Sequence, residues 1–422
     1  MKLVLKYRVL IWLLVFISCI LFETYIVGDS LYDYGIIMIK YIQSYINDKP
    51  IYILILNCFS FLVNKHCLVL FIYITFNYFK FYSSFLLMVI CGSIALTTGF
   101  FKLILRDPRP YFHDNDIILY DCETGYGNPS GHSIGAVSLY MTLWRVFTYD
   151  VKMTNFKRNC LKFMIFTLIL ITIFSRMALG AHSLNQIILG GFIGLMIYIL
   201  FFNVIELDMK PEIEIYFIKN KYILLIFSFI VSFFIIAGIF IFNFFPDLND
   251  NKSLYLNAIH KFCPGTSYSK TLEYEAYFLL SSSSFLLGAY LGIYYDLTYN
   301  FYNNENVWLA INDGIDENNI IDMNKTKKIR WNDTDFFTSF KRLVVIVVVN
   351  LITVSMNIFV SSKSHTNVIF IFKNFLPFGL TGFTLFSFTR KICLYYKLGN
   401  DVYINNQNEY KIEKNIQKKK NK

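Results

Sequence analysis

Long apolar runs broken by short polar clusters recur along the chain, from residue 9 almost to the end. They cover 9–27, 52–76, 83–104, 132–149, 160–175, 184–205, 222–245, 274–295, 342–361 and 367–389. About 20 apolar residues cross a hydrocarbon layer roughly 30 Å thick. The pattern therefore predicts an all-α fold, a polytopic membrane helical bundle of about nine transmembrane helices. An N-terminal signal anchor or signal peptide, residues 1–28, precedes them, because Lys2, Lys6 and Arg8 lead into the first run. Two runs are weaker: 160–175 is short, and Asn64-Lys65-His66 interrupts 52–76. The membrane-embedded domain is expected over 29–395, with a polar insertion at 296–341 rich in Asn and Asp and a basic tail at 396–422.

Composition agrees. Over 422 residues, 55% are hydrophobic and 19% aromatic, and mean hydropathy is +0.47, too apolar for a soluble domain of this size. A formal net charge of +10 would suit a nucleic-acid partner, but much of it lies in short loops and the tail. Membrane topology explains it better, so no nucleic acid is expected. The eight cysteines show no metal-ligand spacing.

Span parity puts loop 105–131 and the segment 175–182 on one face. The opposite face receives Lys152, Lys157, Arg158, Lys162, Lys325, Lys327, Lys328, Arg330, Lys341 and Arg342, and by the positive-inside rule it is cytosolic. The tail is then cytosolic too, and its end, Lys419-Lys420-Asn421-Lys422, fits a di-lysine signal for retrieval to the endoplasmic reticulum membrane. Cys122 and Cys263 both fall on the non-cytosolic face and can pair, although nothing in the sequence fixes their separation.

Three polar constellations lie at the ends of these runs: Lys102-Leu-Ile-Leu-Arg-Asp-Pro-Arg109-Pro110, Pro129-Ser-Gly-His132 and Ser175-Arg176-Met-Ala-Leu-Gly-Ala-His182. Arg109 and Arg176 suit a phosphate because a guanidinium forks onto two oxygens, and Lys102 adds a point charge. Arg106 reads instead as an interfacial side chain. Pro110 pushes Arg109 out of helical dihedrals and holds it at a bend. Ser130 is a natural N-cap, Gly131 lets backbone approach a ligand, and a helix start offers free N–H groups to an anion. His132 at that mouth suits a general acid, and His182 suits a nucleophile toward phosphorus, giving a phosphohistidine. No metal and no cofactor is expected.

Together these stretches resemble the phosphatidic acid phosphatase type 2 superfamily, which includes haloperoxidases and bacterial acid phosphatases. Within it, Phe101–Phe112, the string Cys122-Glu-Thr-Gly125 before Gly127-Asn-Pro-Ser-Gly-His132, and Ser175 through Gln186 are most similar to the glucose-6-phosphatases. The likeness in motifs covers roughly 85 residues, with a motif core at 101–186. It implies nine membrane helices with a lumenal site, His182 as phosphate acceptor, His132 as proton donor, and Lys102, Arg109 and Arg176 as phosphate-binding cations. Most of that superfamily has Asp four residues after the nucleophile; this chain has Gln186, which can orient the ring but cannot stabilise an imidazolium as a carboxylate does. The implied reaction is hydrolysis of glucose 6-phosphate or a similar sugar phosphate, with a lipid phosphate or polyprenyl diphosphate as the alternative. The implied partners are a small phosphorylated substrate, the lipid bilayer and a sugar-phosphate transporter.

Overall fold

The computed structural model describes residues 2–78, 81–148, 153–205, 222–245, 251–263, 272–295, 336–359 and 367–396, together with 298 and 398. Among them every regular element is helical. Six helical segments are long and apolar enough to cross a membrane: Tyr7–Ile46, Ser84–His113, Asn155–Ala178, Leu184–Val204, Tyr222–Phe244 and Tyr274–Tyr295. Most of the expected insertion and tail, with the di-lysine end, lies outside the described residues.

Three expected runs take a different form. α1 (Lys2–Phe22) does not stop near residue 27; it passes through a π-helical turn, Glu23–Val27, into α2 (Gly28–Ile46). Asp29, Asp33 and Lys40 disguise α2 as a loop, yet Gly28, Gly35, Ile39 and Gln43 form a buried stripe at helical spacing. The run 52–76 is broken at Asn64, giving α3 (Pro50–Phe61) and α4 (Lys65–Tyr78), each shorter than a span needs. The run 132–149 forms α7 (Gly131–Thr148), which His132, Arg145 and its serines and threonines keep out of the six.

The chain divides into two compact units. The first holds Met1–Leu70, Leu86–Ile215 and Phe229–Leu286. In it, α7 packs on α8 (Asn155–Ala178) and α9 (Leu184–Ile199), α2 on α9, and α3 on α8. α7 and α9 touch backbone to backbone: a Cβ on Gly190 would lie 2.6 Å from the Ser130 carbonyl oxygen, and one on Gly194 2.5 Å from that of Ile134. Two glycines four apart give the close crossing known from membrane helices. Over one end of these helices an apolar layer gathers Ile39, Tyr111, Phe112, Ile117, Tyr126, Met177, Ile187, Tyr255 and Ile259. It clamps the loop after α5 (Phe81–Leu105), which holds the one-turn α6 (Pro110–His113), against α11 (Lys252–Phe262), the helix that follows α10 (Tyr222–Phe244).

The second unit holds Phe71–Phe85, Tyr216–Ser228 and Leu287–Lys422. There the helices Phe336–Phe359 and Asn367–Ser387 pack together. Asn77 donates to the Ser339 carbonyl at 2.9 Å, and Phe76 meets Phe386 edge to face.

Candidate active site

All the predicted polar groups belong to the first unit, and each is delivered by the end of an apolar helix. α5 carries Lys102 in its last turn and ends at Leu105; the next residue, Arg106, takes a left-handed φ of 53° that turns the chain away from the helix. Arg106 donates to the Leu103 carbonyl at 3.1 Å and to that of Phe245. Arg109 is extended, with φ −78° and ψ 157°, as a residue before proline must be. Between α8 and α9, Gly180 takes φ +74°, a conformation that glycine reaches without strain, and the turn brings His182 back beside Arg176. Ser130 accepts from Ser133 N at 3.4 Å to begin α7, and its own N–H donates to the Gln186 carbonyl.

Four of the predicted side chains meet on one carboxylate, that of Glu123. Oε2 receives Arg109 Nη1 at 2.5 Å and lies 3.3 Å from His182 Nε2. Oε1 receives Arg176 Nη2 and lies 3.5 Å from His132 Nδ1. The second guanidinium nitrogen of Arg176, Nη1, reaches Asp121 at 2.7 Å and the Ser60 hydroxyl of α3. Lys102 pairs instead with Glu275, at the start of α12 (Tyr274–Ser282), at 3.0 Å. Glu275 also faces Arg109 Nη2 at 3.4 Å and accepts the Gly125 N–H at 2.7 Å. The Arg109 fork is completed by the carbonyls of Gly125 and Ala181 at 2.6 and 3.0 Å.

The ring of His182 is oriented by its partners. Gln186 donates its amide to the Pro108 carbonyl at 2.7 Å, which turns Oε1 toward His182 Nδ1 at 3.2 Å. Nδ1 therefore carries the proton, and Nε2 presents its lone pair toward Arg109 Nη1, 3.2 Å away. Burial, reinforced by Arg109, pushes the imidazole down from its ordinary 6.5 to about 4, against the pull of Glu123. For Glu123 burial acts upward, but Arg176 and Arg109 outweigh it and hold the carboxyl well below the usual carboxylate range. At neutral pH the site thus holds a neutral imidazole beside an ionised carboxylate.

Glu123, Glu275 and Asp121 were not among the predicted site residues. A signal existed for Glu275, since an ionisable side chain inside an expected span is a functional candidate by default. Glu123 lies in the string before Gly125 that carries the resemblance. The cysteine beside it, Cys122, is bonded to Cys263, with Cα atoms 5.6 Å apart. That bond ties the Glu123 loop to the end of α11.

A second buried network supports the loop from α1–α2. The Asn128 amide donates to Asp107 at 2.6 Å, and Glu23 in the π-helical turn accepts from Asn185 at 3.2 Å and from Asn128 at 3.5 Å. Tyr32 of α2 donates to the Arg109 carbonyl at 3.1 Å.

No curated protein and no solved structure matches the chain. Residues 81–210, which hold Lys102, Arg109, Glu123, His132, Arg176, His182 and Gln186, match the model of the PAP2 superfamily.

Proposed function

We propose that the chain is a membrane phosphomonoesterase working through a phosphohistidine. The observation that carries this reading is the convergence of Arg109, Arg176, His132 and His182 on the two oxygens of a single anion, with Lys102 one carboxylate away. An anion held by two forked guanidiniums between two imidazoles is the ground-state counterpart of a phosphoryl group in flight. His182 Nε2 attacks phosphorus, and His132 protonates the leaving alkoxide. Arg109, Arg176 and Lys102 stabilise charge on the equatorial oxygens of the pentacoordinate species. Water then attacks the phosphohistidine, with His132 taking its proton, and releases inorganic phosphate. Gln186 keeps Nδ1 protonated, so that Nε2 stays the nucleophile. Ser130 and Gly131 start α7 so that His132 stands at its mouth.

The match to the superfamily supports phosphate esters as the substrate class. Gln186 in place of Asp, and the Cys122–Gly125 string, favour a sugar phosphate such as glucose 6-phosphate over a lipid phosphate. The Cys122–Cys263 bond suits an oxidising compartment, which supports a lumenal site in the endoplasmic reticulum membrane with the tail in the cytosol. The test is phosphate release by purified protein from glucose 6-phosphate, mannose 6-phosphate and phosphatidic acid. We expect the two hexose phosphates to be hydrolysed and phosphatidic acid to lag. A clear preference for phosphatidic acid would transfer the assignment to lipid phosphates, and no release from any of the three would end it.

The pH profile follows from His182. Protonating Nε2 removes the nucleophile, so activity is lost as pH falls through the pKa of the buried ring. After correction for the second ionisation of the ester, near about 6, the acid limb of kcat/KM should have its midpoint at about 4. An acid limb centred at the ordinary 6.5 would show that burial and Arg109 do not set the state of this ring.

A further inference from the structure

The phosphoryl position required by this reaction is already filled. Glu123 sets one oxygen against Arg109 and His182 and the other against Arg176 and His132, and a phosphate needs the same four groups. Both anions cannot hold them at once. Charge points the same way. Lys102, Arg109 and Arg176 are matched by Glu275, Glu123 and Asp121, so a dianion added to the intact set brings two negative charges to three cations that already face three acids. A carboxylate also satisfies the cradle incompletely, because buried Arg176 Nε has no hydrogen-bond partner among the described residues. A phosphate brings further acceptor oxygens.

We propose that Glu123 is the resident occupant of the phosphoryl subsite, a specificity-determining side chain that a dianionic phosphomonoester displaces and that returns to expel inorganic phosphate. This rests on the phosphomonoesterase reading. While the site is empty, Glu123 gives each of two buried guanidiniums a second carboxylate beside Glu275 and Asp121, and so keeps Arg109 Nη1 and Arg176 Nη2 matched away from water. Being tethered, it competes at high effective concentration. A monoanion such as a phosphodiester carries no more charge than the carboxylate it must evict, and a dianion carries one more. Selection of monoesters follows. Only the side chain has to swing. Its backbone is pinned by the Tyr111 hydroxyl, which donates to the Glu123 carbonyl at 2.5 Å, and by the neighbouring Cys122–Cys263 bond.

Calorimetric titration of the full chain in nanodiscs with inorganic phosphate and with dimethyl phosphate tests this. Glu123→Gln should bind inorganic phosphate about tenfold more tightly than the wild type, or better, since a charged competitor has been removed. Dimethyl phosphate should bind the variant and fail to bind the wild type. Equal or weaker phosphate binding by the variant, or wild-type binding of dimethyl phosphate as tight as that of phosphate, overturns the proposal. If the variant does not fold, an experimental structure of the wild type at saturating phosphate decides. Glu123 should have left Arg109 and Arg176, and a Glu123 still bridging them beside bound phosphate defeats the idea. A wild type that hydrolyses monoesters with phosphate affinity independent of Glu123 keeps the reaction and loses this inference. A variant with raised phosphate affinity in a protein that hydrolyses no ester does the reverse.

Discussion

Replacing His182 with alanine lowers phosphate release by about 10⁴-fold or more, the scale seen when an activated nucleophile is removed. The reason lies in its surroundings. The ring is 1% exposed, its Nδ1 proton is committed to Gln186, and Nε2 faces the anion position beside Arg109. His132 is the other imidazole on that anion, but it approaches the opposite oxygen. An in-line reaction cannot use one group as both nucleophile and acid, so His132 offers no substitute. The fold should survive, because the turn that presents His182 is held by backbone bonds from Ala181 and His182 to the Arg176 carbonyl at 3.0 and 3.3 Å. Wild type incubated with labelled substrate and quenched in alkaline detergent, where a phosphohistidine survives, should carry phosphate on histidine, and the alanine variant none. A variant retaining activity within tenfold of the wild type, with the protein still folded, would remove the phosphohistidine from the mechanism.

Much of this site could be read along the chain, for a physical reason. In a membrane protein the polar residues that matter stand out against apolar runs, and Lys102, Arg109, His132, Arg176 and His182 all mark places where such a run ends. The pre-proline bend at Arg109 and the N-cap at Ser130 are local effects, decided by neighbouring residues. What could not be read is what local sequence does not determine. Glu275 meets Lys102 across 173 positions, and only the packing of α12 within the first unit brings them together. Cys122 finds Cys263 across 141 residues, for which an even spacing rule does not exist. The continuation of α1 into α2 was hidden because charged residues on the exposed side of a helix look like the start of a loop. Its buried stripe is narrow, and its most polar member, Gln43, is used to bond Ile118 in the loop after α5 and Ala178 at the end of α8.

The carboxylates change how the cations should be understood. A reading built from Lys102, Arg109 and Arg176 alone describes an electropositive pocket awaiting an anion. The structure describes buried cations, each already matched by an acid, whose positions are fixed by those acids before any substrate arrives. Glu275 shows this most plainly, since it bridges Lys102, Arg109 and the Gly125 N–H. Such a network keeps the donors in place, so that little reorganisation is needed when the reaction develops charge. It also makes stability and activity hostage to the same residues.

Arg109 is where that linkage is strongest, and two substitutions separate its parts. Its side chain is 0% exposed and serves Glu123, Glu275, two backbone carbonyls and His182 Nε2 at once. Arg109→Lys keeps a charge but loses the fork. It should lower kcat/KM by about 10³-fold, as for a lost transition-state donor, and stability by about 1–3 kcal/mol through the carbonyls left unpaired. Arg109→Ala strips a buried cation from two carboxylates and should cost about 3–5 kcal/mol. Adding Glu123→Gln to the alanine variant should recover part of that stability, because Glu123 is left sharing Arg176 with Asp121 while Glu275 keeps Lys102, and activity stays at the floor set by the missing guanidinium. Thermal unfolding and turnover across this cycle separate the two contributions. If lysine at 109 supports near-normal turnover, bidentate grip on the phosphoryl group is not how this site works; if Glu123→Gln brings no recovery, Arg109 and Glu123 are not energetically coupled and the carboxylate frame described above does not hold the cations.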